Sequence, residues 1–239
     1  MIRLFAPVLF LLFAPAWSGW AEEPASGAPV RNLPPETPLA AGLSFENETT
    51  VKAPGSFLTM YPAMNEDGTA NAVVEIPTGT QAKWEVKSDG TLRWDLKEDK
   101  PRIVNYLGYP GNYGMVPGTL QGDGDPVDII VLAPAYPRGS VMPARVIGAL
   151  LFTDEGEQDN KLLAVLPGLP LGEVTSLAEL DTQFPEVSQI VQTWFEHYKG
   201  PGKEMIFQGR AEKEDALKLI QDAAIRFSAE KAAAAPANH

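Results

Sequence analysis

From about Ser56 to residue 166 the chain has short segments, either alternating between hydrophobic and polar residues or continuously apolar, that are typical of β-strands. The segments AVVEIPTG and AKWEVKSDGTLRWDL alternate around turns at Thr78–Thr80 and Ser88–Gly90. The second turn holds the Asp-Gly pair that β-hairpins favour. Short strands at this spacing favour a closed barrel over a parallel sheet. Further strands are predicted at 102–107, 127–132, 140–151 and 161–166.

A helical period begins only near the C-terminus. The segment FPEVSQIVQTWFEHYKG predicts one helix, with Pro185 near its start and Gly200 just past its end. A second helix is predicted in AEKEDALKLIQDAAIRFSAEKAA, followed by an Ala-rich tail that frays from about residue 230. The pattern therefore predicts a mainly β protein with two C-terminal helices. Their apolar faces comprise Val187, Ile190, Val191, Trp194 and Phe195 in the first helix, and Leu217, Ile220, Ala224 and Phe227 in the second.

The N-terminus has the pattern of an export signal. Arg3 precedes an apolar run, Leu4–Trp17, that is too short to cross a bilayer comfortably. Gly19 and Ala21 suit the −3 and −1 positions of a signal peptidase site. We therefore predict that residues 1–21 are a signal peptide and that the protein is exported, to the periplasm if the cell is Gram-negative.

Export gives a direct test. N-terminal sequencing of the mature protein is expected to begin near Glu22, because cleavage is predicted after Ala21. An intact Met1 on protein recovered from the cytoplasm would contradict the prediction.

Composition limits the rest of the chain to one domain and to a few kinds of chemistry. The 239 residues suit a Pro/Ala-rich leader at 22–45 and a single domain at 46–239. A hydrophobic fraction of 44% and five tryptophans indicate a substantial core. The net charge of −12 excludes nucleic acid as the main partner, since phosphate backbones need a basic surface. No membrane contact is expected after signal cleavage.

Nucleophilic chemistry is poorly supported by the sequence. The chain has no cysteine, only two histidines, no G-x-S-x-G motif and no phosphate-binding G-x-x-x-x-G-K-[ST] loop. Elimination leaves chemistry based on oxygen ligands as the main option.

An acidic cluster stands directly before a strand in GDGDPVDIIVL, residues 122–132. In an extended backbone Asp123 and Asp125 would share a face while Asp128 would point away. The three converge only if the backbone curls, which the glycines and the proline of this segment permit. A calcium EF-hand is disfavoured, because Val127 stands where that loop needs an acid or Asn. A solvated acidic turn remains the alternative, but the adjoining apolar run favours a cluster held together by bound cations.

Two further segments add oxygen ligands and basic residues. TDEGEQDNK carries Asp154, Glu155, Glu157 and Asp159, then Lys161, after the apolar strand GALLF. VEIPTGTQAKWE carries Glu75 at a strand end, with Lys83 and Glu85 alternating on one face. Each segment alone is also compatible with a solvated hairpin. Together they offer hard oxygens without soft ligands, which favours Mg²⁺ or Mn²⁺ over Zn²⁺.

Aromatic residues accompany these segments. YPGNYGMVP carries Tyr109 and Tyr113 in a stretch that we interpret as a loop, because it is too glycine-rich for a regular element. FEHYKG ends the first predicted helix with Tyr198 and Lys199, where a cation is also favourable for the helix dipole.

The ordered set of segments resembles the family I soluble inorganic pyrophosphatases. GDGDPVDIIVL is similar to the family signature D-x-D-P-x-D before a strand, and EIP, KWE, YPGNYG, TDEGEQDNK and WFEHYK occur in the family's order. The similarity covers roughly Val73 to Phe227. It implies a five-stranded, OB-like closed β-barrel flanked by helices, and hydrolysis of pyrophosphate to two phosphates. Mg²⁺ is the implied cofactor, Mn²⁺ an alternative, and Ca²⁺ is expected to inhibit.

The resemblance also implies a role for each site residue. Asp123, Asp128 and Asp159 would hold the activating metal ions, with Asp128 shared between two of them. Asp154 and Glu75 would face metals that arrive with the substrate, and Asp125 would be the general base. The phosphate-binding residues would be Lys83, Arg102, Tyr113, Lys161, Tyr198 and Lys199.

Two points stay open at this level. The segment RWDLKEDKPRIVNYL does not align cleanly where the family has a phosphate-binding arginine, so Arg93, Lys97 and Lys100 remain alternatives to Arg102. There are two rival functions. One is a phosphohydrolase that acts on polyphosphate or a nucleotide anhydride, and the other is a non-catalytic Ca²⁺ or Mg²⁺ binding protein of the cell envelope. We expect a homo-oligomer.

Overall fold

The structure, a computed structural model, describes residues 37–203 and 205–234, which form thirteen strands and three helices. The predicted signal peptide and the leader up to residue 36 lie outside the described residues. The helices are α1 (Leu177–Gln183), α2 (Val187–His197) and α3 (Lys213–Ala234). The strands are β1 (Ser44–Asn47), β2 (Thr50–Lys52), β3 (Ala70–Ile76), β4 (Trp84–Val86), β5 (Leu92–Trp94), β6 (Leu96–Lys97), β7 (Lys100–Pro101), β8 (Asn112–Met115), β9 (Asp128–Leu132), β10 (Val141–Asp154), β11 (Glu157–Gln158), β12 (Lys161–Val165) and β13 (Ile206–Glu212).

A seven-stranded sheet forms the centre of the fold, so the predicted mainly β class is confirmed. From the long strand β10 the pairings lead through β12, β9, β8 and β3, and β3 pairs with β10 again. The β12–β9 pair is parallel and the other four pairs of this circuit are antiparallel. β11 and β13 also pair with β10. A second sheet has the order β1-β2-β5-β4, and β6 pairs with β7.

The predicted β4–β5 hairpin is confirmed. The N–H of Lys87 donates to the carbonyl of Thr91 at 2.8 Å, and Gly90 takes the left-handed conformation (φ 78°) that the turn requires. The strands predicted at 127–132, 140–151 and 161–166 correspond to β9, β10 and β12. β10 ends at an acidic segment, and β9 and β12 begin directly at or after one, so these three strands determine where the carboxylates stand.

Two helices pack on the sheet with faces close to those predicted. In α2, Val191, Trp194 and Phe195 are buried, but Ile190 is 59% exposed, so its assignment to the core was wrong. In α3, Ile220 is buried as predicted. The other fully buried residues of α3 are Ala216 and Ala223, whose small side chains let the helix approach the sheet closely. Leu217, Ala224 and Phe227 are only partly buried.

The predicted loop around Tyr113 is in fact strand β8, and its glycines explain the error. A side chain at Gly114 would place its Cβ 1.8 Å from the carbonyl oxygen of Val73 on β3. Glycine is therefore required for the close approach of two paired strands, not for flexibility. The consequence is that Tyr113 is held on a rigid element.

Three other elements differ from the prediction. Residues 102–107 form no strand. Ile103 forms an isolated β-bridge with Ala82, the N–H of Val104 donates to the carbonyl of Gln81 at 2.8 Å, and the N–H of Arg102 donates elsewhere, to the carbonyl of Asp95 at 2.8 Å. Helix α1 was missed although the sequence carries its N-terminal S-x-x-E signal: the Ser176 hydroxyl accepts the N–H of Glu179 at 3.2 Å, and the Glu179 carboxylate accepts the N–H of Thr175 at 2.7 Å. β13 was missed because it is short of apolar residues.

Among the described residues, no helix has the length and apolar character to cross a membrane.

Candidate active site

Every residue nominated from the sequence lines a single cavity of about 620 Å³. The ends of β3, β4, β8 and β9, the β10–β12 connection and the C-terminal end of α2 contribute its walls. The nominated residues are Glu75, Lys83, Arg102, Tyr113, Asp123, Asp125, Asp128, Asp154, Asp159, Lys161, Tyr198 and Lys199. Segments far apart in sequence thus meet at one place.

The loop that carries Asp123 and Asp125 is curled, as the glycines and proline predicted. The N–H of Gln121 donates to the carbonyl of Asp125 at 2.7 Å, and Gly124 has a φ of 91°. The N–H of Asp125 also donates to Oδ1 of Asp123 at 3.0 Å. Partial burial, and then the charge of Asp123, raise the pKa of the Asp125 carboxyl. A carboxylate of raised pKa at the cavity mouth is suited to accept a proton.

Lys161 stands between Asp128 and Asp159 and contacts both carboxylates. Lys161 is the partner of Asp128 in the parallel β12–β9 ladder, and the lysine side chain is almost fully buried. Nζ also lies 3.4 Å from the hydroxyl of Tyr113. Burial raises the pKa of Asp128 to about 6 even though Lys161 acts to lower it. The two carboxylates are therefore only partly neutralised by one lysine.

Glu75 is a buried carboxylate with no ion pair among the described residues. It accepts the backbone N–H of Val86 at 2.6 Å. Burial, and then the nearby charges of Asp128 and Glu85, raise its pKa well above the usual range. An ionised Glu75 would need a cation beside it, because burying an unpaired charge is costly.

One wall is a network of charged side chains that the sequence revealed only in part. Lys83 contacts Glu85, and Lys87 lies 2.6 Å from the other oxygen of the same carboxylate. Asp95 lies 3.1 Å from Nη1 of Arg102 and 3.4 Å from Nζ of Lys87. Arg102 therefore lines the site, whereas Arg93, Lys97 and Lys100 do not line the cavity.

Lys87 and Asp95 were missed by sequence reasoning, and Glu85 was noted without a role. The available signal was the alternation of Lys83, Glu85 and Lys87 on one face of β4 and its extension. Asp95 had no local signal, because it reaches the network only through the β4–β5 pairing.

Two aromatic residues, Tyr113 and Tyr198, also line the cavity. Tyr198 stacks on Trp194 with ring centroids 4.7 Å apart, and burial raises the pKa of its hydroxyl to about 12. Tyr109 does not line the cavity but packs beneath Tyr113, with centroids 5.1 Å apart. Lys199 contacts Asp154 across the mouth. Burial also raises the pKa of the Tyr113 hydroxyl well above its usual range, so both tyrosines that line the cavity remain protonated hydrogen-bond donors at neutral pH.

The charges of the lining favour hard divalent cations. Within the described ranges no three carboxylate or histidine side chains are already drawn together around a metal position. The cavity nevertheless has eight carboxylates against five cationic side chains, and neither cysteine nor histidine lines it. An anionic substrate would be repelled by such a surplus unless cations bound with it. Oxygen-only donors of this kind suit Mg²⁺.

In sequence and in structure the chain is similar to inorganic pyrophosphatases. A family model described as "Inorganic pyrophosphatase" matches residues 72–228. The chain is 40% identical to an inorganic pyrophosphatase of Gluconobacter oxydans over 158 residues, which cover 64% of this chain and 88% of that protein. It is 33% identical to one of Sulfolobus acidocaldarius over 175 residues, covering 72% and 98%. A crystal structure of a type I inorganic pyrophosphatase from Toxoplasma gondii, 26% identical, aligns with a TM-score of 0.72 over 79% of this chain and 97% of that one.

Proposed function

Since the chain belongs to the inorganic pyrophosphatase family and is a hydrolase, we propose that it hydrolyses pyrophosphate to two phosphate ions with Mg²⁺ as cofactor. The observation that carries the proposal is the meeting of all twelve nominated residues in one cavity with a surplus of carboxylates. Pyrophosphate carries several negative charges, so its hydrolysis needs positive charge at the phosphates and a deprotonated water at one phosphorus atom.

The carboxylates divide into two groups of proposed metal ligands. Asp123, Asp128 and Asp159 would hold the activating metal ions. Asp154 and Glu75 would hold metal ions that enter with the substrate. When bound, the metal ions neutralise phosphate oxygens and lower the pKa of the attacking water.

Asp125 is the proposed general base. It is two residues from Asp123 and its N–H is bonded to that carboxylate, so its position depends on the same curled loop. Its raised pKa brings it closer to the operating pH, which favours proton transfer in the transition state. The proton of the attacking water passes to its carboxylate.

Six side chains bind the phosphates in this proposal: Lys83, Arg102, Tyr113, Lys161, Tyr198 and Lys199. Each of the four cationic ones is paired with at least one carboxylate of the wall or cavity. On substrate binding the lysines and the arginine would exchange these carboxylates for phosphate oxygens, which also accept charge-assisted hydrogen bonds. Bound Mg²⁺ would neutralise the carboxylates that lose their cationic partner. The cations then stabilise the charge that develops on the leaving phosphate.

We also propose that β10, β12, β9, β8 and β3 form the closed, OB-like barrel of the family. The circuit of pairings that leaves β10 and returns to it supports this proposal. A closed sheet brings the strand ends that carry Glu75, Asp128 and Lys161 to one mouth.

A phosphate-release assay on the purified mature protein tests the function. Pyrophosphate, ATP and polyphosphate are each supplied with Mg²⁺, and phosphate release is compared. Preferential release from pyrophosphate supports the proposal. Preferential hydrolysis of ATP or polyphosphate would favour the broader phosphohydrolase, and Mg²⁺ binding without turnover would favour a metal-binding protein of the envelope.

Metal choice gives a separate prediction. Mg²⁺ is expected to support hydrolysis, with Mn²⁺ as a weaker or equal substitute, and Ca²⁺ is expected to inhibit because it is larger and holds looser coordination geometry. The measurement is initial rate against metal concentration, with Ca²⁺ added to the Mg²⁺ enzyme. Full activity in excess EDTA would rule out the metal-dependent mechanism.

We propose in addition that the mature protein acts outside the cytoplasm and as a homo-oligomer. The export pattern of residues 1–21 supports the first statement. Sedimentation of the mature protein tests the second, and a mass of one chain would contradict it.

A further inference from the structure

Arg138 is a buried arginine just before β10, outside the cavity described above. Its side chain and backbone are 2% exposed, and among the described residues no carboxylate forms an ion pair with it. Burial lowers its pKa to about 10, so the guanidinium is still charged at neutral pH. A buried cation without an acidic partner needs an explanation, because burial of an unpaired charge is costly.

The guanidinium contacts β3, which carries Glu75, and β4, which directly follows Lys83. Nε donates to the backbone carbonyl of Glu75 at 2.9 Å. The guanidinium carbon lies 4.6 Å from the ring centre of Trp84. Trp84 is the first residue of β4 and lies between Lys83 and Glu85 in the sequence. Stacking on tryptophan and hydrogen bonding by the planar fork occur together only with arginine.

Glu75 lies at a β-bulge of β3, where a hydrogen bond from Arg138 can fix the local backbone. In the β3–β8 ladder Val74 pairs with Gly114 and Ile76 pairs with Tyr113, so Glu75 is an extra residue without a partner on β8. Such bulges are common beside active sites, where they re-aim a side chain. The carbonyl of the bulged residue leaves the regular ladder, and Arg138 supplies its donor.

The backbone of Arg138 is itself held on two sides. Its N–H donates to the carbonyl of Pro38, and its carbonyl accepts the N–H of Ala40, each at 2.9 Å. The next residue, Gly139, donates its N–H to the carbonyl of Val74 at 2.7 Å. The arginine is thus fixed against the N-terminal segment 37–40 and against β3 at the same time.

The arginine is kept at a cost to folding. Among the side chains that the structure describes, Nη2 of Arg138 is the one buried nitrogen or oxygen without a hydrogen-bond partner. An apolar residue would avoid this cost, since leaving a buried donor unpaired is unfavourable. We infer that Arg138 is a positioning residue that holds the Glu75 bulge and so directs the Glu75 carboxylate into the cavity; the inference rests on the proposed role of Glu75 as a metal ligand.

Binding of Mg²⁺ in the presence of methylenediphosphonate, a pyrophosphate analogue that is not hydrolysed, tests this role, because Glu75 is proposed to hold a metal ion that enters with the substrate. The Mg²⁺ binding that Glu75→Gln loses under these conditions is the Glu75-dependent binding. Calorimetric titration is made with the full mature protein, with Arg138→Met, and with Arg145→Met as the matched control. Nη1 of Arg145 donates to the carbonyl of Gly172 at 2.5 Å, so this variant also removes an arginine–carbonyl bond, but away from the cavity. We expect Arg138→Met to weaken the Glu75-dependent Mg²⁺ binding roughly 10-fold, the effect of one lost hydrogen bond to a charged group, and Arg145→Met to leave it unchanged even if its melting temperature falls.

The outcomes distinguish a failure of the positioning role of Arg138 from a failure of the proposed function. Wild-type Mg²⁺ affinity in Arg138→Met, or equal weakening in Arg145→Met, would overturn the positioning role. No Mg²⁺ binding by the wild-type protein would instead contradict the proposed function. If Arg138→Met does not fold, Arg138→Lys replaces it: the lysine keeps the charge but not the planar fork, so an intermediate loss of affinity is expected and wild-type affinity would overturn the inference.

Discussion

Replacing Asp125 with Asn is expected to lower kcat on the order of 10²–10⁴-fold, the contribution of a general base. The amide keeps the size of the carboxylate and can still form a hydrogen bond, but it cannot take the proton of the attacking water. Added Mg²⁺ is not expected to repair the loss. The pH–rate profile is expected to lose or shift its acidic limb, which belongs to the carboxylate cluster as a whole because the groups are coupled.

Asp123→Ala is the matched comparison for this variant, because Asp123 is two residues away on the same curled loop. It removes a proposed metal ligand, so the apparent Mg²⁺ affinity is expected to fall and high Mg²⁺ is expected to restore part of the activity. Initial rates over a Mg²⁺ series measure both variants. If Asp125→Asn were rescued by Mg²⁺ while Asp123→Ala were not, the roles of base and ligand would have to be exchanged.

Local patterns in the sequence located the main strands and the acidic segments well. β9, β10 and β12 were predicted because buried strands give apolar runs, and the curl at Asp123 and Asp125 followed from the glycines and proline around them. These features depend on neighbours within a few residues. Their mutual arrangement did not follow from periodicity; the resemblance to known pyrophosphatases supplied it, and the shared cavity agrees with it.

Features set by contacts between distant segments were not predictable in the same way. β8 was mistaken for a loop because Gly114 suggested flexibility. Glycine is needed at this position because the carbonyl of Val73, on another strand, leaves no room for a side chain. Asp95 joins the charged wall through a hairpin partner, and Arg138 reaches Glu75 across 63 residues of sequence. None of these has a periodic or compositional signal, since the relevant partner is remote along the chain.

The second large effect is expected at Lys161, the buried lysine between Asp128 and Asp159. Lys161→Met fills a similar volume but removes the only cation in contact with both carboxylates among the described residues. Without divalent metal, the free energy of unfolding is expected to fall by about 3–5 kcal/mol, as when one partner of a buried ion pair is removed. Thermal melting in EDTA measures this loss.

Mg²⁺ separates the structural from the catalytic part of that effect. A divalent cation bound by Asp128 and Asp159 neutralises the repulsion that the lysine no longer offsets, so Mg²⁺ is expected to raise the melting temperature of Lys161→Met more than that of the wild-type protein. Activity is not expected to return, because the methionine cannot bind a phosphate oxygen; kcat/KM is expected to stay about 10²–10³-fold low, as for other lost transition-state donors. Lys218→Met, which removes an exposed lysine of α3, is the control for loss of a positive charge. Full recovery of activity by Mg²⁺ would reduce Lys161 to a counter-charge for the two carboxylates, and unchanged stability in EDTA would contradict its role as the cation that holds them together.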